Sequence, residues 1–289
     1  MLLKRTWQVT ALTLALYTLP LTVMAQSDKL PNGDGDAFGP RIDPAPRCDI
    51  TQSQPLQPGA DATSRLRYWN EIALTTVALD HTPVATAVAL DHTPVAPDEN
   101  RVFGEQYGPP RTSRALAIVH IAIFDAVNAI TGGYQSYTDL GSAPADTSLD
   151  AAIAQAAHDT LVALYPSQRA RLDALLTADL GQMPDGQAQA NGIALGQQAA
   201  AAILALRSND GSEHPEPRVG IEFIPSNKPG KWRPDPISQN PLALGAFWGG
   251  VDPFVLQAAD QFRVPPPPDL VSLQYVLAFY ELKNDTTIQ

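Results

Sequence analysis

Between Arg65 and Leu79, the apolar side chains Leu66, Trp69, Ile72 and Ala73 recur at helical spacing and predict a helix. A longer one follows, Arg111 to Ile130. Pro109 and Pro110 set up its start, and Thr131-Gly132-Gly133 stops it. Leu116, Ile118, Val119, Ile121, Ile123, Phe124 and Val127 lie nearly all round it, which predicts burial among other helices. Further helices are expected from about Ser148 to Tyr165, stopped by Pro166, and from Ser167 to Leu180, with Leu172, Leu175, Leu176 and Leu180 as its stripe. The fifth, about Gly186 to Arg207, is rich in small residues. Gly192, Gly196, Ala199 and Ala200 would let a neighbouring helix approach closely. Residues 209–252 read as a long ordered loop, and a loop of that length carries a function or packs against something. Pro253–Phe262 reads as a short helix. Leu270–Lys283 reads as the last one, with Asp269 as its N-cap and Leu273, Val276, Leu277 and Tyr280 as its stripe. No run of alternating strands appears, so the expected class is all-α, a helical bundle over residues 63–289.

The front of the chain changes that picture. Lys4 and Arg5 precede an apolar run from Val9 to Leu21, and Val23-Met24-Ala25 supplies the small residues of a cleavage site before Gln26. Residues 1–25 are therefore expected to be a signal peptide and the protein to be exported, periplasmic or secreted. A retained anchor is the other reading, although the apolar run is short for one. Residues 26–62, with Pro31, Pro40, Pro44, Pro46, Pro55 and Pro58 among polar side chains, predict a disordered linker. Loss of the leader leaves 17 basic against 30 acidic residues. A chain so acidic, without a run of Lys and Arg, is not expected to bind nucleic acid, nor membranes once the leader is gone. Cys48 is the single cysteine, so no intrachain disulfide forms.

Candidate chemistry is sparse. Asn32, Asp34 and Asp36 alternate as in a calcium loop, but the rest of such a loop is missing. Val77–Ala85 recurs unchanged as Val88–Ala96, a period of 11 residues that carries Asp80-His81 and Asp91-His92. The pairs suggest metal ligands, yet Pro83 and Pro94 keep one helix from presenting both histidines, and a tandem duplication is the simpler reading. His158, beside Asp159, is expected to be a surface or half-buried side chain, and His214 an exposed one. His120 is expected to hydrogen-bond a neighbour on its helix. Lys228, Lys231 and Arg233 gather around Trp232 as a possible oxyanion site, or simply as solvated loop residues. Nucleophile-elbow, phosphate-loop and zinc-helix motifs are all absent.

Several segments resemble one family. They are Tyr68-Trp69-Asn70-Glu71-Ile72-Ala73, the run Phe103 to Ala117, Val119-His120, Phe124 to Ile130, Gly230-Lys231-Trp232-Arg233-Pro234, and the stretch from Phe262 to Tyr280. Together they resemble the N-terminal helical region of bacterial vanadium-dependent haloperoxidases, in the type 2 phosphatidic acid phosphatase superfamily. The resemblance covers roughly residues 65–282. It implies a helical enzyme whose protein-bound vanadate takes up hydrogen peroxide and oxidises a halide; related acid phosphatases use the same groups on a phosphate ester. The family's vanadate-binding segments are a Lys followed by Arg-Pro, then Pro-Ser-Gly-His, then Ser-Arg-x5-His. Here Arg233-Pro234 has Ser226 where the Lys is expected, and Pro-Ser-Gly-His is absent. Ser113-Arg114 with His120 matches the last pattern, but in the part that resembles the scaffold, so it is read as coincidence. No catalytic, vanadate-binding or metal-binding residue is therefore expected in this chain. The expectation is a family member cut before its vanadate site and inactive alone, prone to self-association or awaiting completion by a C-terminal region. A non-catalytic exported helical binding module is the alternative.

Overall fold

The computed structural model describes residues 61–81 and 101–284, all within one unit of the chain, Cys48–Thr286. The predicted leader, almost all of the proline-rich arm, the second copy of the repeat, Asn32, Asp34, Asp36, Cys48 and His92 lie outside the described residues. Among those residues there are six α-helices and no β-ladder, only the isolated bridges Arg218–Leu242 and Val219–Phe223. The class is all-α.

Helix α1 (Ala62–Asp80) starts slightly before the predicted Arg65, because the Asp61 carboxylate accepts from the Ser64 N–H at 2.8 Å and caps it. Helix α2 is Pro109–Thr131, α3 is Leu149–Leu164, α4 is Arg169–Leu180 and α5 is Gln187–Leu206. The predicted start of α4 at Ser167 is taken instead by a 3-10 turn, Pro166–Gln168. Glu105 holds that turn in place, its carboxylate accepting from the Ser167 N–H and, at 2.6 Å, from its hydroxyl.

Helix α3 is the hub, packing against α1, α2, α4 and α5. Its alanines 151, 152, 154, 156 and 157 are all fully buried, so neighbours meet its backbone closely. Around it lie Trp69, Ile118, Leu172 and Ile203, all buried. Helix α2 departs from expectation. It rests on α3 and α5 through Ala115, Ile118, Val119, Ala122 and Ile123, while His120 and Phe124 on its other side are exposed. In length and composition α2 could also cross a membrane. Here half of its apolar stretch is spent on α3 and α5.

Charged residues fasten this bundle at its ends. Asp179 of α4 is fully buried and accepts from Arg65 Nε at 3.0 Å and Trp69 Nε1 at 2.8 Å. Arg65 also reaches Asp150 of α3, so one guanidinium ties three helices. Asp125 is equally buried and accepts from the N–H groups of Tyr137 and Thr138 and from the Thr138 hydroxyl. That satisfies the carboxylate and fixes the chain after α2.

The last part of the chain differs most from expectation. Pro253–Phe262 forms turns, not a helix. Its first carbonyls are already claimed: Arg207 donates to those of Asp252 and Pro253, and the Tyr137 hydroxyl to that of Phe254. They are thereby diverted from i+4 amides. Helix α6 (Leu273–Asn284) begins after Ser272, whose hydroxyl accepts from the Tyr275 N–H, so the cap is Ser272 and not Asp269. No residue of α6 is buried.

The first copy of the repeat has a structural task. Asp80 is fully buried, and its carboxylate accepts from the N–H groups of Glu105 and Gln106 at 2.7 and 3.0 Å. Arg101 donates to the Leu79 carbonyl and the Gly104 N–H to that of Asp80, so both ends of the intervening connection meet at the end of α1. Excising Thr82–His92 would leave one copy, with Asp80 and His81 in place, and shorten the connection from 19 residues to 8. Loop-closure entropy then favours the shortened protein by about 0.8 kcal/mol. We expect its melting temperature to match or slightly exceed the parent's in a thermal scan. A fall of more than about 5 °C would mean that the second copy contributes packing of its own.

Candidate functional site

The chain between α5 and α6 folds back over the start of α2, and the side chains it brings together are the richest polar cluster among the described residues. Arg111 and Arg114 come from the first turns of α2, and Arg207 from the end of α5. Asp210, three residues after Arg207, sits between two of them. Its carboxylate accepts from Arg114 Nε at 2.7 Å and Arg207 Nε at 2.8 Å, and its other oxygen from the Ser212 N–H. Burial pushes this carboxyl up, but the bonds from Arg114 and Ser212 outweigh it and hold the group below its usual range.

Arg111 works in parallel. It donates to the carbonyls of Ser212, at 2.7 Å, and of His214, lies 3.3 Å from the Glu216 carboxylate and stacks over Trp248. Glu216 in turn accepts from the Gly245 N–H at 2.7 Å and Trp248 Nε1 at 2.9 Å. Two cavities flank these residues. One, of about 260 Å³, is lined by Gln106, Arg111, Arg114, Leu164, Arg207 and Ser212. The other, of about 640 Å³, is lined by Phe103, Tyr107, Arg111, His214, Glu216 and Leu242.

Chemically the cluster is self-contained. Three guanidinium groups face Asp210, Glu216 and five backbone carbonyls, so most of their N–H directions are spent inside the protein. An oxyanion with several negative charges needs converging donors that are free, and this set offers few. Its evident result is to weld the loop to α2 and α5.

The residues singled out from the sequence fall elsewhere. Ser113 bonds back to the Pro109 carbonyl on its own helix, Arg114 turns to Asp210, and His120 is exposed with no hydrogen bond to a described residue. The structure does not bring the three into one site. Although the residue is exposed, the part of its ring that the protein covers loses enough water to hold the His120 imidazole below its ordinary value. Lys228, Lys231 and Arg233 are all exposed, and Trp232 packs edge-on to Phe223 at 5.1 Å instead of closing a pocket around them. His81 Nδ1 donates to the Val77 carbonyl at 2.9 Å, and the ring stacks on Tyr107 while Nε2 accepts from the Gly108 N–H. Both ring nitrogens are thus taken up by the backbone.

Besides His120, which lacks the expected hydrogen bond to a neighbour among the described residues, two more histidines correct the sequence reading. His214 is half-buried, not exposed, and meets Phe247 and Trp248 edge-on. His158 is buried, with both ring nitrogens on carboxylates: Asp159 at 2.7 Å and Asp173 at 2.8 Å. Spacing could not reveal this, because Asp173 arrives from the next helix. Among the described residues no group of three or more His, Cys, Asp or Glu side chains is arranged to hold a metal ion.

No family model matches this chain, and no curated protein matches it. Among solved structures it is similar to one described as the crystal structure of the first bacterial vanadium-dependent iodoperoxidase, with 23% sequence identity and a TM-score of 0.49. The match covers 63% of this chain and 47% of that one, so the chain matches about half of that protein's length.

Proposed function

We propose that this chain is the helical scaffold portion of an exported protein of the vanadium-dependent haloperoxidase type, without halide-oxidising activity of its own. The reading starts from the sequence motifs that resemble that family. One observation carries it further: the polar residues of those motifs act as fasteners. Trp69 binds Asp179, Glu105 holds Ser167, Arg111 and Arg114 anchor the long loop, Asp125 fixes residues 137–138, and Asn128 bonds both ways to Tyr134. Such residues keep a scaffold in shape and leave the chemistry to groups elsewhere.

Vanadate does not fit the described residues. Arg111, Arg114 and Arg207 are paired with Asp210 and Glu216, and Lys228, Lys231, Arg233 and His120 are exposed. No catalytic step is therefore assigned to them. Support for an uncovered partner surface comes from the last segment. Phe262, Val264, Val271, Leu273 and Leu282 are each at least two-thirds exposed, a concentration of open apolar side chains within one short segment. Helix α6 is too short to be stable in water without packing.

Two measurements test the reading. Purified protein given vanadate, hydrogen peroxide and bromide should not brominate a phenolic dye; turnover abolished by His120→Ala would overturn the proposal. Light scattering should show self-association, with apolar-dye binding that falls when a chain carrying Pro-Ser-Gly-His and Ser-Arg-x5-His segments is fused after Gln289. A stable monomer with no dye binding would instead favour a free-standing helical module.

A further inference from the structure

Helix α4 packs on the core through Leu172, with Leu175, Leu176 and Leu180 only partly buried against it. Of its residues only Leu172 and Asp179 are buried. Its C-terminal end is fastened through Asp179 to Arg65 and Trp69. Its first turn is held by Arg171, which donates to the Thr76 hydroxyl at 3.2 Å. Between these points the polar contact to α3 is a single bond, His158 Nε2 to Asp173 at 2.8 Å. The opposite ring nitrogen, Nδ1, lies 2.7 Å from Asp159, which also accepts from Gln155.

The geometry fixes the charge state. An ionised carboxylate only accepts hydrogen bonds, so a ring nitrogen at 2.7–2.8 Å from one must carry a proton. Here both nitrogens meet that condition. With both carboxyls ionised the ring is an imidazolium, and its loss of a proton leaves one nitrogen lone pair facing a carboxylate. We propose that His158 is a protonation-controlled clasp that holds the middle of α4 against α3 and releases it when the ring loses its proton.

The surroundings leave Asp159 and Asp173 as the charges that set the clasp. Helix α5 has no ionisable side chain. On α1 and α2, Arg65 is engaged with Asp150 and Asp179, Arg111 with Glu216, Arg114 with Asp210, and Asp80 and Asp125 with backbone amides. Arg67, Glu71 and His120 are exposed, as is Arg169 of α4, while Arg171 of α4 is turned to Thr76 of α1. Burial opposes a charge on His158, yet its bonds to Asp159 and Asp173 outweigh burial and raise its pKa above the ordinary value. A raised value means that the clasp contributes its full stability below about pH 6.5, where the unfolded histidine is also protonated. The contribution fades as pH rises through the folded value. Asp173 is half-exposed, so solvent moderates the effect and the release is local.

The test is histidine-selective NMR on the full chain, with His158→Gln identifying the resonance, combined with amide exchange. His158 should titrate above pH 6.5, and Asp173→Asn should lower that titration point. Exchange in residues 170–178, corrected for the intrinsic tenfold rise per pH unit, should accelerate as His158 loses its proton. The Asp173→Asn protein should exchange fast at both ends of the range. Titration at or below pH 6.5, or corrected exchange in α4 that is unchanged across it, would overturn the proposal.

Discussion

Replacing Gly196 by alanine should lower the stability of this bundle, although alanine is the better helix former. A Cβ at Gly196 would stand 2.7 Å from the Ala152 carbonyl oxygen, 2.7 Å from Gln155 Cβ and 2.8 Å from the Ala156 nitrogen. At Gly192 it would stand 2.4 Å from the Ser148 carbonyl oxygen and 2.9 Å from Ala151 Cβ. Most of these atoms belong to the α3 backbone and cannot swing aside. Helix propensity returns about 1 kcal/mol per substitution, while overpacking costs about 1–3 kcal/mol and more where backbone must move. The clash decides the sign. For Gly192→Ala with Gly196→Ala we expect a net loss of about 3 kcal/mol, large against the 5–15 kcal/mol that holds a typical domain. The two sites share one interface, so the losses will not add simply. Gly141→Ala is the control, since nothing lies within 4 Å of its Cβ and its φ is not positive. Urea midpoints measure all three. A double variant as stable as the parent would mean that α5 does not sit this close to α3.

That interface also shows what the sequence makes legible. Small residues at helical spacing in α5 announce a close approach, because only a missing Cβ permits one, and the structure supplies the partner, α3. Six of the predicted helices, α1 to α6, appear within a few residues of their expected ends, since proline, glycine and capping groups act locally. Long-range bonds are what local pattern does not carry. The turns at Pro253–Phe262 replace a helix because Arg207 and Tyr137 take its carbonyls, and both lie far away in sequence. The same is true of the polar cluster. Nothing in the spacing of Arg111, Arg114, Asp210 and Glu216 announces that they meet, apart from the short step from Arg207 to Asp210. Ser113, Arg114 and His120 show the converse: a motif match on one helix that the fold spends on fastening and solvent.

Asp210→Ala should therefore be among the most damaging single substitutions in this chain. The carboxylate is 3% exposed and bridges two guanidinium groups, one from α2 and one from α5. Removing it strands both, and breaking a buried ion pair from one side costs about 3–5 kcal/mol. The damage should spread to the long loop, because Arg207 also holds the carbonyls of Asp252 and Pro253 and packs over Phe254 at 4.1 Å. Released, this arginine loses the geometry that keeps residues 252–254 on the bundle. Arg114→Ala should cost less, as Arg207 can keep Asp210 paired, and His120→Ala should change stability by no more than about 0.5 kcal/mol. The ordering Asp210→Ala, then Arg114→Ala, then His120→Ala separates a fastening role for this region from a catalytic one. Acid should reproduce part of the effect. The Asp210 carboxyl is held below its usual range, so its stabilisation is full above about pH 3.9 and is lost as pH falls through the folded value. Denaturation curves at pH 7 and at pH 3 should therefore differ less for Asp210→Ala than for the parent. An equal difference in both would show that the arginines do not rely on this carboxylate for their charge partner.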